Sequence, residues 1–263
     1  MPRIFQVKEK YGIQDLLEIM RILRSPEGCP WDREQTHQSI RTDFLEETHE
    51  ALEAINNGDA EALKEELGDV LLQVVFHARI EEEQDVFAFD DVVDGICKKL
   101  VVRHPHVFGQ ETADSTGQVL RNWDAIKRQT KGGKTQADLL QSVPRTLPAL
   151  MRAAKVQNRA RRVGFDWPDV SGALDKLSEE LEELKTAVAE GTNVEEELGD
   201  LLFSAVNVSR FVKVDTEEAL NGATDKFIGR FRKVEEEAAR QGRALEGMSL
   251  AELDKLWEHA KET

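Results

Sequence analysis

Two pairs of acids, Glu47 with Glu50 and Glu66 with Asp69, are each spaced i, i+3. On helices, each pair would project from one face. Glu46 adjoins the first pair. The turn-forming run Asn56-Asn57-Gly58-Asp59 lies between the pairs, and it would fold the second helix back along the first. Four carboxylates would then converge. Two like charges at about 4 Å repel by about 4 kcal/mol at an effective dielectric of about 20. Four such groups facing inward require a cation or protonation. None of the four is His or Cys, and hard oxygen ligands suit Mg²⁺, with Mn²⁺ as the alternative, over Zn²⁺.

An isolated acidic i, i+3 pair is usually a solvated helix face. Here the whole pattern recurs. Glu180 with Glu183 and Glu197 with Asp200 repeat it in the second half of the chain. KEELGDVLLQVVF begins at Lys64 and VEEELGDLLFSAV at Val194. The four tryptophans fall in matching places: Trp31 and Trp167 precede the acids, and Trp123 and Trp257 follow them after spans of 92 and 90 residues. Lys99 and Arg103 in one copy correspond to Lys226 and Arg230 in the other. Internal repetition at this length predicts two homologous domains. Their expected limits are 1–130 and 137–263, with a linker at 131–136 inside the polar, Gly-rich stretch TKGGKTQ. Each second acid pair also encloses Leu-Gly, as Leu67-Gly68 and Leu198-Gly199. Glycine inside a helix costs about 1 kcal/mol relative to Ala, so its double occurrence predicts close helix approach there.

The elements that must position these acids read as helices. Residues 13–23 form a helical pattern stopped by Ser25-Pro26 and Gly28. Residues 43–55 are amphipathic, with Phe44, Leu45, Thr48, Leu52 and Ile55 at helical spacing. Residues 60–83 form a long helix whose centre, VLLQVVF, is apolar on most faces and is therefore expected to be buried. Residues 90–103 form another, ended before Pro105. Residues 147–261 repeat the plan. Short connections between long helices imply an all-α bundle. Glycine and proline together number 24 of 263 residues, which fits few loops.

The 51 Asp and Glu against 35 Lys and Arg leave a net charge of −16. That balance excludes a duplex nucleic-acid binder, which needs surplus cations. No apolar run approaches the roughly 20 residues of a membrane span. Cys29 and Cys97 alone give no disulfide framework. These features predict a cytoplasmic protein.

Glu46-Glu47-x-x-Glu50 with Glu66-x-x-Asp69, and Glu179-Glu180-x-x-Glu183 with Glu197-x-x-Asp200, resemble the EExxE and ExxD signature of the MazG nucleoside triphosphate pyrophosphohydrolases. The resemblance covers nearly the whole chain and is to the two-domain form. It implies a tandem repeat of two MazG-type helical-bundle domains, Mg²⁺ dependence and a homodimer. The implied reaction cleaves NTP or dNTP to the monophosphate and pyrophosphate, clearing the nucleotide pool. The resemblance also implies site residues. Metal ligands would be Glu180, Glu183, Glu197 and Asp200, with Glu47, Glu50, Glu66 and Asp69 in the first copy. The first four, with Glu179, form the implied catalytic set. Substrate contacts would be Lys176, Glu179, Lys226, Arg230 and Trp257. Asn193 departs from two-domain relatives that can carry a lysine there.

The chemistry agrees with the residues. A bare acidic cluster repels a triphosphate, and a bridging Mg²⁺ would join the two and polarise phosphorus. Lys226 and Arg230, four residues apart, could face the phosphates. Trp257 could pack on base or ribose, or in a core. The second copy carries the fullest substrate set and is expected to be the main site. Arg152, Lys155, Arg159 and Arg162 form a basic stripe, read as a solvated or acid-pairing face. GGKT at Gly132 is not a P-loop, because Arg128 stands where the first glycine is required. Two other functions compete. One is a non-catalytic regulator that binds nucleotide or protein. The other is a di-metal redox bundle, disfavoured because the paired positions lack histidine.

Overall fold

The computed structural model describes residues 5–110, 112, 115, 117–119 and 135–262. Trp123 and linker residues 131–134 lie outside them. Every regular element among the described residues is helical, and the chain divides into two compact units, 1–132 and 133–263.

In the first unit, α1 (Ile13–Leu23), α2 (Pro30–Glu34), α3 (Arg41–Asn57), α4 (Ala60–Glu82), α5 (Phe89–Arg103) and the short α6 (Pro105–Phe108) follow in order. The α3–α4 hairpin turns where the sequence predicts. Gly58 closes α3 at φ +67°, a left-handed conformation that glycine adopts without a Cβ penalty. Asp59 then caps α4, accepting from the backbone N–H groups of Glu61 and Ala62 at 3.1 Å. Helix α1 lies across the C-terminal half of α4. Met20, Ile40, Val75, Phe76 and Ile80 form the core there.

The second unit contains α7 (Gln136–Gln141), α8 (Ala149–Arg161), α9 (Val170–Glu190), α10 (Val194–Val212), α11 (Thr216–Arg240) and α12 (Leu250–Glu262). The α9–α10 hairpin corresponds to α3–α4, with Gly191 at φ +71° in the place of Gly58. Thr135 caps α7 through the Asp138 backbone N–H at 3.1 Å, so Gln136 opens a helix at the edge of the expected linker. Val234, Ala238, Leu256 and Ala260 form a core between α11 and α12, with Trp257 packed against it.

Two sequence expectations are corrected. The apolar centre of α4 is buried only in part: Val75 is 1% exposed but Leu71 is 39% exposed. A two-helix hairpin has two apolar sides, and α1 covers only the C-terminal half of α4. Gly68 and Gly199 are not sites of close helix approach. A Cβ at either would meet nothing within 4 Å, because both face open space within the chain. Helix α5 is still less covered, with Val92, Val93, Ile96 and Leu100 all exposed.

Candidate metal centre and active site

The two hairpins bring the paired acids together. In the first unit, carboxylate oxygens of Glu47, Glu66 and Asp69 lie within 4.8 Å of one another. In the second unit, the same holds for Glu180, Glu183 and Glu197. Each cluster therefore gathers three of its four expected ligands. Glu50 and Asp200, both exposed, stand just outside.

The crowding leaves an electrostatic mark. Burial, then the charges of Asp69, Glu50 and Glu66, push the Glu47 carboxyl above its ordinary value. Burial, then Glu50 and Asp69, do the same to Glu66. In the second unit, burial and then Glu180 raise Glu183. Like charges disfavouring one another's ionisation are what a divalent cation would relieve. The donor set is all carboxylate oxygen, which fits a hard cation.

Lys176 distinguishes the second cluster. Its Nζ lies 2.8 Å from Glu179 Oε1 and 2.7 Å from Glu180 Oε1. Hydrogen bonds to Glu179, then Glu180, raise the lysine well above its ordinary value. Beside the cluster a cleft of about 380 Å³ is lined by Glu179, Glu183, Thr186, Thr192, Asn193 and Glu197, among others. That volume suits a small molecule. Asn193 sits at φ +52°, in the left-handed region where asparagine is enriched.

The remaining expected contacts lie elsewhere. Lys226 is exposed, and neither it nor Arg230 forms an ion pair among the described residues. Their helix, α11, packs on α8 and α12. Trp257 meets Phe227 with ring centroids 4.9 Å apart and packs, half-buried, against the core of its unit. The two rings also line an apolar cleft of about 360 Å³ with Phe231, Val234, Leu253 and Asp254. Among the described clefts, none joins the acids to Lys226, Arg230 or Trp257. In the basic stripe, Arg159 is turned inward: it donates to the Leu139 carbonyl and, at 2.8 Å, to Ser142 Oγ.

Sequence reasoning missed several polar contacts. His37 and His77 meet through their Nδ1 atoms at 2.7 Å, and His37 Nε2 lies 2.7 Å from Glu81. Arg210 grips Asp166 through both terminal nitrogens. Arg24 grips Glu83 across the unit. The partners are 40 to 59 residues apart in the chain, beyond any spacing rule.

Fold and clusters together define a tandem all-α protein with two hairpin-borne carboxylate sites. The family described as MazG nucleotide pyrophosphohydrolase domain matches it twice, at residues 35–108 and 170–235. A Thermotoga maritima protein named nucleoside triphosphate pyrophosphohydrolase/pyrophosphatase MazG is 49% identical, over 94% of this chain and 95% of its own. An Escherichia coli nucleoside triphosphate pyrophosphohydrolase is 44% identical, over 95% and 97%. The uncharacterized protein YabN of Bacillus subtilis is 50% identical over 93% of this chain and half of its own length. The chain belongs to the MazG family.

Proposed function

We propose that this chain hydrolyses nucleoside triphosphates, ribo or deoxyribo, to the monophosphate and pyrophosphate, with the α9–α10 hairpin as its main active site. It is a hydrolase of acid anhydrides, as its family membership and its pyrophosphohydrolase relatives support. The observation that carries the site is the convergence of Glu180, Glu183 and Glu197 beside a cleft that Glu179 also lines.

Glu180, Glu183, Glu197 and Asp200 would hold Mg²⁺, or Mn²⁺, and Glu47, Glu50, Glu66 and Asp69 would do so in the first unit. A bound divalent cation neutralises triphosphate charge and polarises phosphorus. The chain's own residues do the rest. Glu179 lies on the cleft wall, where it orients the attacking water and takes its proton. Lys176, one helical turn from Glu180, faces the phosphates. Lys226 and Arg230 supply further positive charge, and Trp257 with Phe227 packs on the base.

Among the described clefts none joins Lys226, Arg230 or Trp257 to the acids, and we propose that a second copy completes the site. The uncovered apolar residues of α5 and of the hairpins, among them Ile96, Leu71, Leu181 and Leu202, support a homodimer. Exposed apolar area of that kind is normally covered by a partner. Light scattering on the purified chain is expected to give twice its 29.7 kDa mass. A monomer at micromolar concentration would contradict the shared site.

We divide the chain into domains at 1–130 and 137–263, joined by a linker at 131–136. No helix among the described residues is long and apolar enough to cross a membrane. With the acidic charge, this supports a cytoplasmic role in clearing nucleotides, without duplex nucleic acid or membrane as partner. Pyrophosphate release from a panel of NTPs and dNTPs tests the activity. Release should stop with chelator and return with Mg²⁺. Saturable nucleotide binding with no pyrophosphate from any substrate would instead identify a non-catalytic regulator.

A further inference from the structure

We propose that Lys176 is a built-in counter-cation of the second unit's acids, held until a divalent cation enters and then released to the substrate's phosphates. This rests on reading those acids as a cation site. Glu180 is 5% exposed, and a buried carboxylate requires a partner. Lys176 supplies it at 2.7 Å, while also reaching Glu179 at 2.8 Å. The ammonium thus sits on the acid face that a divalent cation must approach. A divalent cation entering at Glu180 would repel the ammonium held there, so the two compete for the same carboxylate.

The repeat provides the contrast. Lys176 precedes Glu180 by four residues, and Asp43 precedes Glu47 by four. The first unit therefore carries a negative charge where the second carries a positive one. Among the described residues, no ion pair reaches Glu47, Glu50, Glu66 or Asp69. In the second unit a displaced Lys176 stays one turn from Glu179 and Glu180, within reach of an anion bound over them. Cation and triphosphate binding should then reinforce each other. In the first unit Asp43 cannot contribute such an exchange. Lys176 is in this sense a positioning residue, and the lysine-to-aspartate difference divides the labour of two otherwise matching hairpins.

The test is Mn²⁺ titration of the full chain, with free Mn²⁺ read by electron paramagnetic resonance. Glu47→Gln with Asp69→Asn serves as background, to silence the first cluster. Without nucleotide, Lys176→Met should tighten Mn²⁺ binding about threefold, the worth of a partly exposed ion pair. Lys176→Arg should leave it unchanged, and Lys176→Gln repeats the result should Met perturb the helix. A non-hydrolysable triphosphate analogue should tighten Mn²⁺ binding in the parent more than in Lys176→Met. Unchanged or weaker Mn²⁺ binding in Lys176→Met overturns the inference while leaving the cation site standing. No Mn²⁺ binding by the unsubstituted chain overturns both.

Discussion

Replacing Glu180 and Asp200 together by alanine is expected to lower pyrophosphate release about 10³-fold. A bound divalent cation contributes several kcal/mol to stabilising charge in phosphoryl transfer, and each 1.36 kcal/mol is tenfold in rate. Glu180 belongs to the second cluster and is the buried member of it. Asp200 lies one helical turn after Glu197 on the same helix. Loss of both leaves Glu183 and Glu197, too few oxygens to hold a hard cation against water. The paired substitution in the first unit, Glu47→Ala with Asp69→Ala, is expected to cost far less. Asp43 there stands where the second unit has Lys176. Equal losses from the two pairs would show that both hairpins work. Loss from the first pair alone would remove the second hairpin from the mechanism. Circular dichroism on each variant separates loss of site from loss of fold.

Arg24→Ala is expected to destabilise the first unit by about 3 kcal/mol, as breaking a buried pair does. The Arg24 side chain is 6% exposed, against 27% for Glu83. Its Nε and Nη2 donate to the two Glu83 oxygens at 3.0 and 2.8 Å. Its Nη1 donates to the carbonyls of Asp32 and Gln35, and its guanidinium lies 5.2 Å from the Phe76 ring centroid. One side chain thus ties the end of α1, the end of α2 and α4 into one body. Alanine would leave a carboxylate and two carbonyls without it. Burial alone would raise the Glu83 carboxyl, but the hydrogen bonds and charges of Arg24 and Arg79 outweigh it and hold it below its ordinary value. A lowered carboxyl stabilises the fold above the unfolded value, and that contribution is lost as pH falls through the folded one. The unsubstituted chain should therefore lose stability below about pH 4.5 more steeply than Arg24→Ala does. Urea unfolding at several pH values measures both. A change under 1 kcal/mol at pH 7 would mean that water replaces the guanidinium at little cost.

The contrast between these predictions shows what the sequence exposes. The acids of the first were legible because helix spacing is local and the pattern occurs twice. The Asn56–Asp59 turn was legible because each residue type has a local reason to be there. Helix α1 was also legible, since Ser25-Pro26 and Gly28 stop it. Arg24 was not, because its carboxylate partner is 59 residues away. The His37–His77 contact was hidden for the same reason. The apolar run at the centre of α4 was legible but not what covers it, so Leu71 was expected inside and lies 39% exposed. Gly68 and Gly199 misled because a glycine within a helix need not mark a close approach, and a Cβ at either meets nothing within 4 Å. The meaning of −16 also changed. Setting the eight acids of the four pairs aside leaves −8 (−16 + 8), an ordinary acidic surface. An acidic chain can therefore still be built to meet phosphates.

Phosphorus NMR of the products tests the central claim most directly. The full chain is incubated with ATP and Mg²⁺, and the spectrum is followed to completion. The account predicts AMP and pyrophosphate in equal amounts, with no ADP at any time. ADP and inorganic phosphate as first products would contradict it.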